Sequence, residues 1–248
     1  MNVAAAAFVL APALALGSFL NVVVARVPAR RSLFRPPSSC GSCSHEILWR
    51  DNIPVLSYLL LKGRCRHCDA PISPLYPLVE VVAAALIVAC VAAFGPTPKA
   101  ALAAGFCAVL VTLSAIDIQL RIVPNRIVLP AAAAALVLHT AIDPSPEWIV
   151  SALLAAGFLF VVVLAYPKGL GMGDVKLALL LGGVLGASVS VALMLGLFAA
   201  LVPAAVLVSR HGVAARKMGV PLVPFLSLGA VVALFLGEPI LDGYLGLF

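Results

Sequence analysis

Residues 177–208, "LALLLGGVLGASVSVALMLGLFAALVPAAVLV", run for 32 positions without a charge. As one helix the stretch would be about 48 Å long, against a bilayer hydrocarbon core of about 30 Å. As two helices, each would be short. The choice fixes the side on which the following basic residues emerge. A single crossing would strand Arg210, Arg216 and Lys217 opposite the other cations of the chain. Because Lys and Arg collect on the cytoplasmic side of membrane proteins, the reading is two short helices hinged near Gly186 and Ser188.

The rest of the chain agrees with a membrane setting. Of its 248 residues, 63% are hydrophobic and 10% charged, with a mean hydropathy of +1.16. A soluble domain of this length needs more polar surface than that. Backbone groups in lipid must be satisfied internally, and non-alternating Ala/Leu/Val runs do so as helices rather than barrel strands. The expected fold is all-α, a polytopic bundle of about eight spans at 3–25, 74–94, 100–116, 127–142, 148–166, 177–187, 189–208 and 223–237. Residues 3–25 form a full-length span with no small-residue cleavage site after it, so no removable signal peptide is expected. The domain expectation is a first span (1–25), a loop (26–73) and a transmembrane core (74–248).

That loop carries eight cations against three acids. Placing it in the cytoplasm brings 15 of the 16 Lys and Arg residues there, leaves Lys99 outside and sets the N-terminus outside. The net charge of +6 is thus topological and does not point to nucleic acid; the expected surroundings are membrane lipid.

The loop also contains "CGSC" (40–43) and "CRHC" (65–68), separated by 21 residues. Two CxxC pairs at this spacing give the Cys40, Cys43, Cys65, Cys68 ligand set of a zinc ribbon. A loop with little apolar surface gains its stability from such a metal. A redox CxxC or unpaired thiols are the alternatives. Cys90 and Cys107 lie inside spans and read as packing residues.

Asp117, in "LSAIDIQLRIVPNRIVLP" (113–130), ends the third span, and Asp174, in "GLGMGDVK" (169–176), opens the sixth. Two crossings separate them, so both fall on the cytoplasmic face. Ionisable groups at membrane depth are expensive and commonly functional. Two carboxylates sharing one proton can activate water and protonate a leaving amine, which is the chemistry of an aspartic peptidase. Helix dipoles make Asp174, at a helix N-terminus, the expected base and Asp117, at a C-terminus, the expected acid. Gly171 and Gly173 let an extended substrate strand approach the backbone; Lys176 is a candidate support of the same loop. Two solvated helix-end aspartates are the plain alternative.

At these residues the chain resembles the prepilin peptidase family. The likeness rests on "GSFLNVVVARVP" (17–28), the two cysteine pairs, "DNIPVLSYLLLKGRCRHC" (51–68), "ISPLYPLVE" (72–80), Asp117 followed by Pro124, and "GMGDVKLALLLG" (171–182). The resemblance implies a bacterial inner-membrane aspartic endopeptidase that trims a short basic leader from type IV prepilins and pseudopilins, with Asp117 and Asp174 as the catalytic pair. It also implies, for longer members, methylation of the new N-terminus by S-adenosylmethionine. Glu80 is then the candidate to hold the amine or the cofactor; an interfacial charge is its alternative. Near the C-terminus "VPLVPFLSLGA" (220–230) has Val223 where the family commonly has glycine.

Overall fold

The computed structural model describes residues 3–167, 169–212 and 219–246, with no side-chain description for 3–7, His211 or Leu245. Lys168, Arg216 and Lys217, which contributed to the charge argument, lie outside the described residues. Nine α-helices occur among the described residues: α1 Val3–Arg26, α2 Leu56–Leu60, α3 Leu75–Phe94, α4 Pro98–Leu120, α5 Asn125–Ile142, α6 Glu147–Ala165, α7 Met172–Leu185, α8 Val189–His211 and α9 Val223–Leu245. No strand is present among them, only two isolated bridges inside the cysteine loop. The expected all-helical membrane architecture is therefore the observed one.

Two compact units divide the chain at residues 1–115 and 116–248. In the first, α1 and α3 lie against each other. A Cβ added at Gly17 would stand 2.8 Å from Glu80 Cα, so the helices touch backbone to backbone there. Four residues on, Asn21 Nδ2 donates to Tyr76 O at 3.0 Å, a polar bridge between spans. Cys90 and Cys107 are both fully buried, with their sulfurs 3.8 Å apart, and they pack α3 on α4.

The second unit answers the question raised by residues 177–208. By length and composition, seven stretches are apolar enough to cross a membrane, and the longest, Met172–Arg210, runs for 39 residues. It holds two helices. The chain reverses through a 3-10 turn at Gly186–Ser188, where Gly186 adopts φ +56°, a conformation that costs glycine little. Glu147, at the start of α6, accepts the Ala187 N–H at 3.0 Å and pins the turn.

Contacts along the helices establish the reversal. Gly182 of α7 sits on Ala152 of α6, and Gly186 meets Glu147, so α7 runs antiparallel to α6. On the return leg, Ser188 lies against Gly237 and Gly196 against Leu226, so α8 runs antiparallel to α9. The hinge expectation holds.

Two boundaries differ from expectation. Helix α7 begins at Met172 rather than 177, taking in the polar "MGDVK" segment. Helix α9 continues to Leu245, through Pro239, instead of stopping at 237. Beyond Pro239 come Ile240, Leu241 and Tyr244. In lipid a helix that stopped early would leave main-chain groups without partners, so one lost bond at proline is the cheaper solution.

The outward faces suit a lipid solvent: Leu154, Phe198 and Val202 are each more than 60% exposed. A soluble protein leaves few such contiguous apolar faces open.

Candidate active site

Asp117 lies in the last turn of α4, which runs to Leu120. The helix ends there because Arg121 turns to φ +54° while its N–H still reaches Asp117 O at 2.9 Å. The chain then passes through Val123 and Pro124 into α5. Asp117 is 6% exposed, and its Oδ2 accepts the Val223 N–H at 3.1 Å from the first residue of α9.

Asp174 is the third residue of α7. Gly171, extended at φ −99° and ψ 158°, caps that helix. Gly171 O accepts the Asp174 N–H at 3.0 Å, and Asp174 Oδ2 accepts the Gly171 N–H at 3.0 Å. This reciprocal pair fixes the carboxylate in the first turn, where the helix dipole favours negative charge.

Several contacts bring the two aspartates to one end of the second unit. A Cβ on Gly173 would come within 2.8 Å of Val123 Cβ, so the α7 start packs tightly on the segment that follows Asp117. Lys176 Nζ donates to Asn125 Oδ1 at 2.9 Å, tying α7 to the start of α5. Asp174 and the Arg121 guanidinium both lie near enough to act electrostatically on the Asp117 carboxylate. Each aspartate accepts one main-chain N–H, and the second oxygen of each carries no hydrogen bond among the described residues. Val223 was not legible as part of this site. Its one signal is the Pro221 and Pro224 bracket, which stiffens the entry to α9.

The first unit holds the cysteine site. Cys40 N–H bonds His45 O at 2.9 Å and Ser44 N–H bonds Cys40 O at 2.9 Å; Cys65 and Asp69 repeat the pattern, with Ala70 O at 2.9 Å and Cys65 O at 3.0 Å. Ser44 and Asp69, each directly after the second cysteine of its pair, share φ values of 59° and 53°. Two equivalent knuckles thus face each other.

The sulfurs of Cys40, Cys43, Cys65 and Cys68 all lie within 4.8 Å of one another, and Cys40 and Cys68 are 3.8 Å apart. Four thiolates about 2.3 Å from a tetrahedral zinc would stand about 3.8 Å from each other. The donor set therefore fits a metal ion of that kind. Main-chain N–H groups of Cys43 and Ser42 pull the Cys40 thiol down to about 6. At Cys68 the Ala70 main chain pulls the same way, but the neighbouring thiols and burial outweigh it and hold Cys68 at about 12. Arg66, in the second knuckle, pairs with Asp51 at 2.6 Å and holds that carboxyl below its usual range.

Glu80 is 8% exposed on α3. Its Oε2 accepts the Val55 N–H at 2.7 Å, reaching from a span into the cysteine loop. Val55 stands at φ +61°, which is strained for a β-branched residue.

Comparison with known proteins adds the family. A model described as the bacterial Peptidase A24 N-terminal domain matches residues 12–94, and one described as the type IV leader peptidase family matches residues 104–209. A prepilin leader peptidase/N-methyltransferase of Burkholderia pseudomallei (strain 1026b) is 34% identical, across 94% of this chain and 86% of its own. The chain belongs to the type IV leader peptidase family. A relative of the same description from Bacillus subtilis (strain 168) is 35% identical, covering 94% of both chains. One from Myxococcus xanthus (strain DK1622) is 39% identical over 73% of this chain and 56% of its own. No solved structure matches. This member of the family is thus a multi-pass membrane peptidase, and the sequence likeness and the helical architecture agree.

Proposed function

We propose that this peptidase removes the short basic leader of type IV prepilins or pseudopilins, using Asp117 and Asp174 as a proton-sharing pair at the cytoplasmic membrane face. The observation that carries the reading is the convergence of the α4 end, the α7 start and the α9 start on two carboxylates, each with one oxygen that makes no hydrogen bond among the described residues. The relatives' description as prepilin leader peptidases supports the substrate class. The charge bias of the loops supports the cytoplasmic side and an outside N-terminus.

One carboxylate takes a proton from water as it attacks the scissile carbonyl, and the other, protonated, polarises that carbonyl and then protonates the departing amine. Asp174, in the first turn of α7, suits the first role, and the more buried Asp117 the second. The substrate's apolar helix stays in the bilayer while its leader junction meets the pair at the interface. Gly171, Gly173 and Lys176 hold the α7 start in place. Cys40, Cys43, Cys65 and Cys68 would hold a structural zinc ion that fixes the two knuckles.

The relatives' second description also supports N-methylation of the new N-terminus, with S-adenosylmethionine supplying the methyl group and Glu80 near the acceptor or donor. The test is co-expression with a prepilin followed by mass spectrometry of its N-terminus. Wild type should yield a leaderless product; Asp117→Asn and Asp174→Asn should each leave the leader attached. Normal trimming by either variant refutes the pair.

A further inference from the structure

The short helix α2 of the cysteine loop turns Leu56, Leu59 and Leu60 outward. At i, i+3 and i+4 these positions share one helix face, and Leu59 and Leu60 are 65% and 71% exposed. Ser57, off that face, is buried; its Oγ donates to Arg50 O and accepts the Ile53 N–H, both at 3.0 Å. The leucine face is thus held outward by the fold. Open to water, such a face would be costly.

Depth decides what covers it. Helix α3 has 20 residues, about 30 Å of helix, which is the thickness of a bilayer hydrocarbon core. Glu80 lies five residues past Leu75 on that helix, about 7.5 Å along its axis. Val55, directly before α2, donates its N–H to Glu80 Oε2 at 2.7 Å. Helix α2 therefore begins level with the membrane edge. Leu78, Val81 and Val82, on α3 around Glu80, are exposed as well, so apolar surface is open on both helices at that level.

Charge points the same way. Lys62 and Arg64 follow the leucines at once, both exposed and without an ion pair among the described residues. The chain turns there: Lys62 and Gly63 adopt φ +53° and +70°, and the Gly63 N–H bonds Tyr58 O at 2.9 Å. Asp51, the acid nearest to α2 in sequence, is neutralised by Arg66. Leucines first and uncompensated cations next is the order of an acyl chain and its phosphate.

We propose that α2 lies in the boundary between headgroups and acyl chains, with Leu56, Leu59 and Leu60 among the chains and Lys62 and Arg64 on the phosphates of acidic lipids. The loop is then a membrane-surface element rather than a domain standing in water. The second knuckle, which starts at Cys65, is held close to the bilayer by it. None of this depends on which peptide bond the protein cuts.

The test uses the full-length protein in lipid nanodiscs. Trp49→Phe and Trp148→Phe remove both native tryptophans, and Leu60→Trp places one reporter on the α2 face. Bromine on the acyl chains quenches from the membrane side, and acrylamide quenches from water. In brominated discs the reporter should lose about half of its emission or more, with little loss to acrylamide, as expected about 5–10 Å into the boundary. Acidic lipid should deepen the bromine quenching relative to zwitterionic lipid, and Lys62→Gln with Arg64→Gln should remove that difference. Should Leu60→Trp lower the melting temperature, Leu59→Trp reports on the same face.

Strong acrylamide quenching with no bromine effect puts the leucines in water and overturns the proposal. Quenching by neither reagent overturns it too, because protein, a second copy or a partner, then covers the face. Bromine quenching indifferent to lipid charge and to both glutamine substitutions overturns the part given to Lys62 and Arg64.

Discussion

Replacing Gly182 with alanine tests whether the α6–α7 contact sets the position of Asp174. A Cβ at this site would stand 2.6 Å from Ala152 Cα and would meet the Ser151 carbonyl carbon at the same distance. Carbon atoms are comfortable at about 3.5–4.0 Å, so the helices must part by roughly 1 Å. The obstacle is main chain, which cannot rotate away, so the penalty belongs at the upper end of the overpacking range, about 3 kcal/mol. Alanine returns about 1 kcal/mol of helix propensity. The net expectation is a loss of about 2 kcal/mol, read as a lower melting temperature in detergent.

Asp174 lies eight residues away on the same helix, about 12 Å along its axis. Displacing α7 by about 1 Å is enough to cost leader cleavage on the order of 100-fold. Gly157→Ala on α6 is the control, because an added Cβ there meets nothing within 4 Å. A Gly182→Ala protein that melts at or above wild type and cleaves normally would refute the packing argument and with it the role of α7 as a fixed mount.

Two further outcomes follow from the geometry. Val223→Pro deletes the N–H that Asp117 accepts, at the first position of a helix, where proline is tolerated; losing one hydrogen bond, about 0.5–1.5 kcal/mol, should lower kcat for leader cleavage about 2- to 10-fold with KM unchanged, and an unaltered kcat in steady-state assays would contradict the assignment. Cys68→Ser should reduce bound zinc from about one ion per chain to none by elemental analysis and open the segment 26–73 to proteolysis, whereas undiminished zinc would remove Cys68 from the ligand set.

What the sequence made legible was whatever side-chain chemistry repeats or spaces itself. Uniform apolar runs located the spans, two CxxC pairs located the cysteine cluster, and a run too long for one crossing located the hinge at Gly186–Ser188. Main-chain partners were invisible. Nothing in "PSPEW" announces that Glu147 will accept an N–H forty residues later at the α7–α8 turn. Nothing in "VPLVPFL" says that Val223 will donate to a carboxylate 106 positions upstream. Asp174 read as a helix-start residue while the span itself was begun at 177, because the glycine-rich segment before it looks like loop; the Asp174–Gly171 pair and tight packing of Gly173 on Val123 carry the helix back to Met172.

Those main-chain partners share a logic. Asp117, Asp174 and Glu80 each have one oxygen held by an N–H, from Val223, Gly171 and Val55 respectively. An amide N–H orients a carboxylate without neutralising it, while a lysine or arginine in the same place would form an ion pair and spend the charge. Asp51, by contrast, is paired with Arg66. Acids that are aimed without an ion pair among the described residues suit the proposed use of Asp117 and Asp174 on an arriving substrate. In the proposed reaction the visitor at the α7 end is a water molecule with a peptide bond.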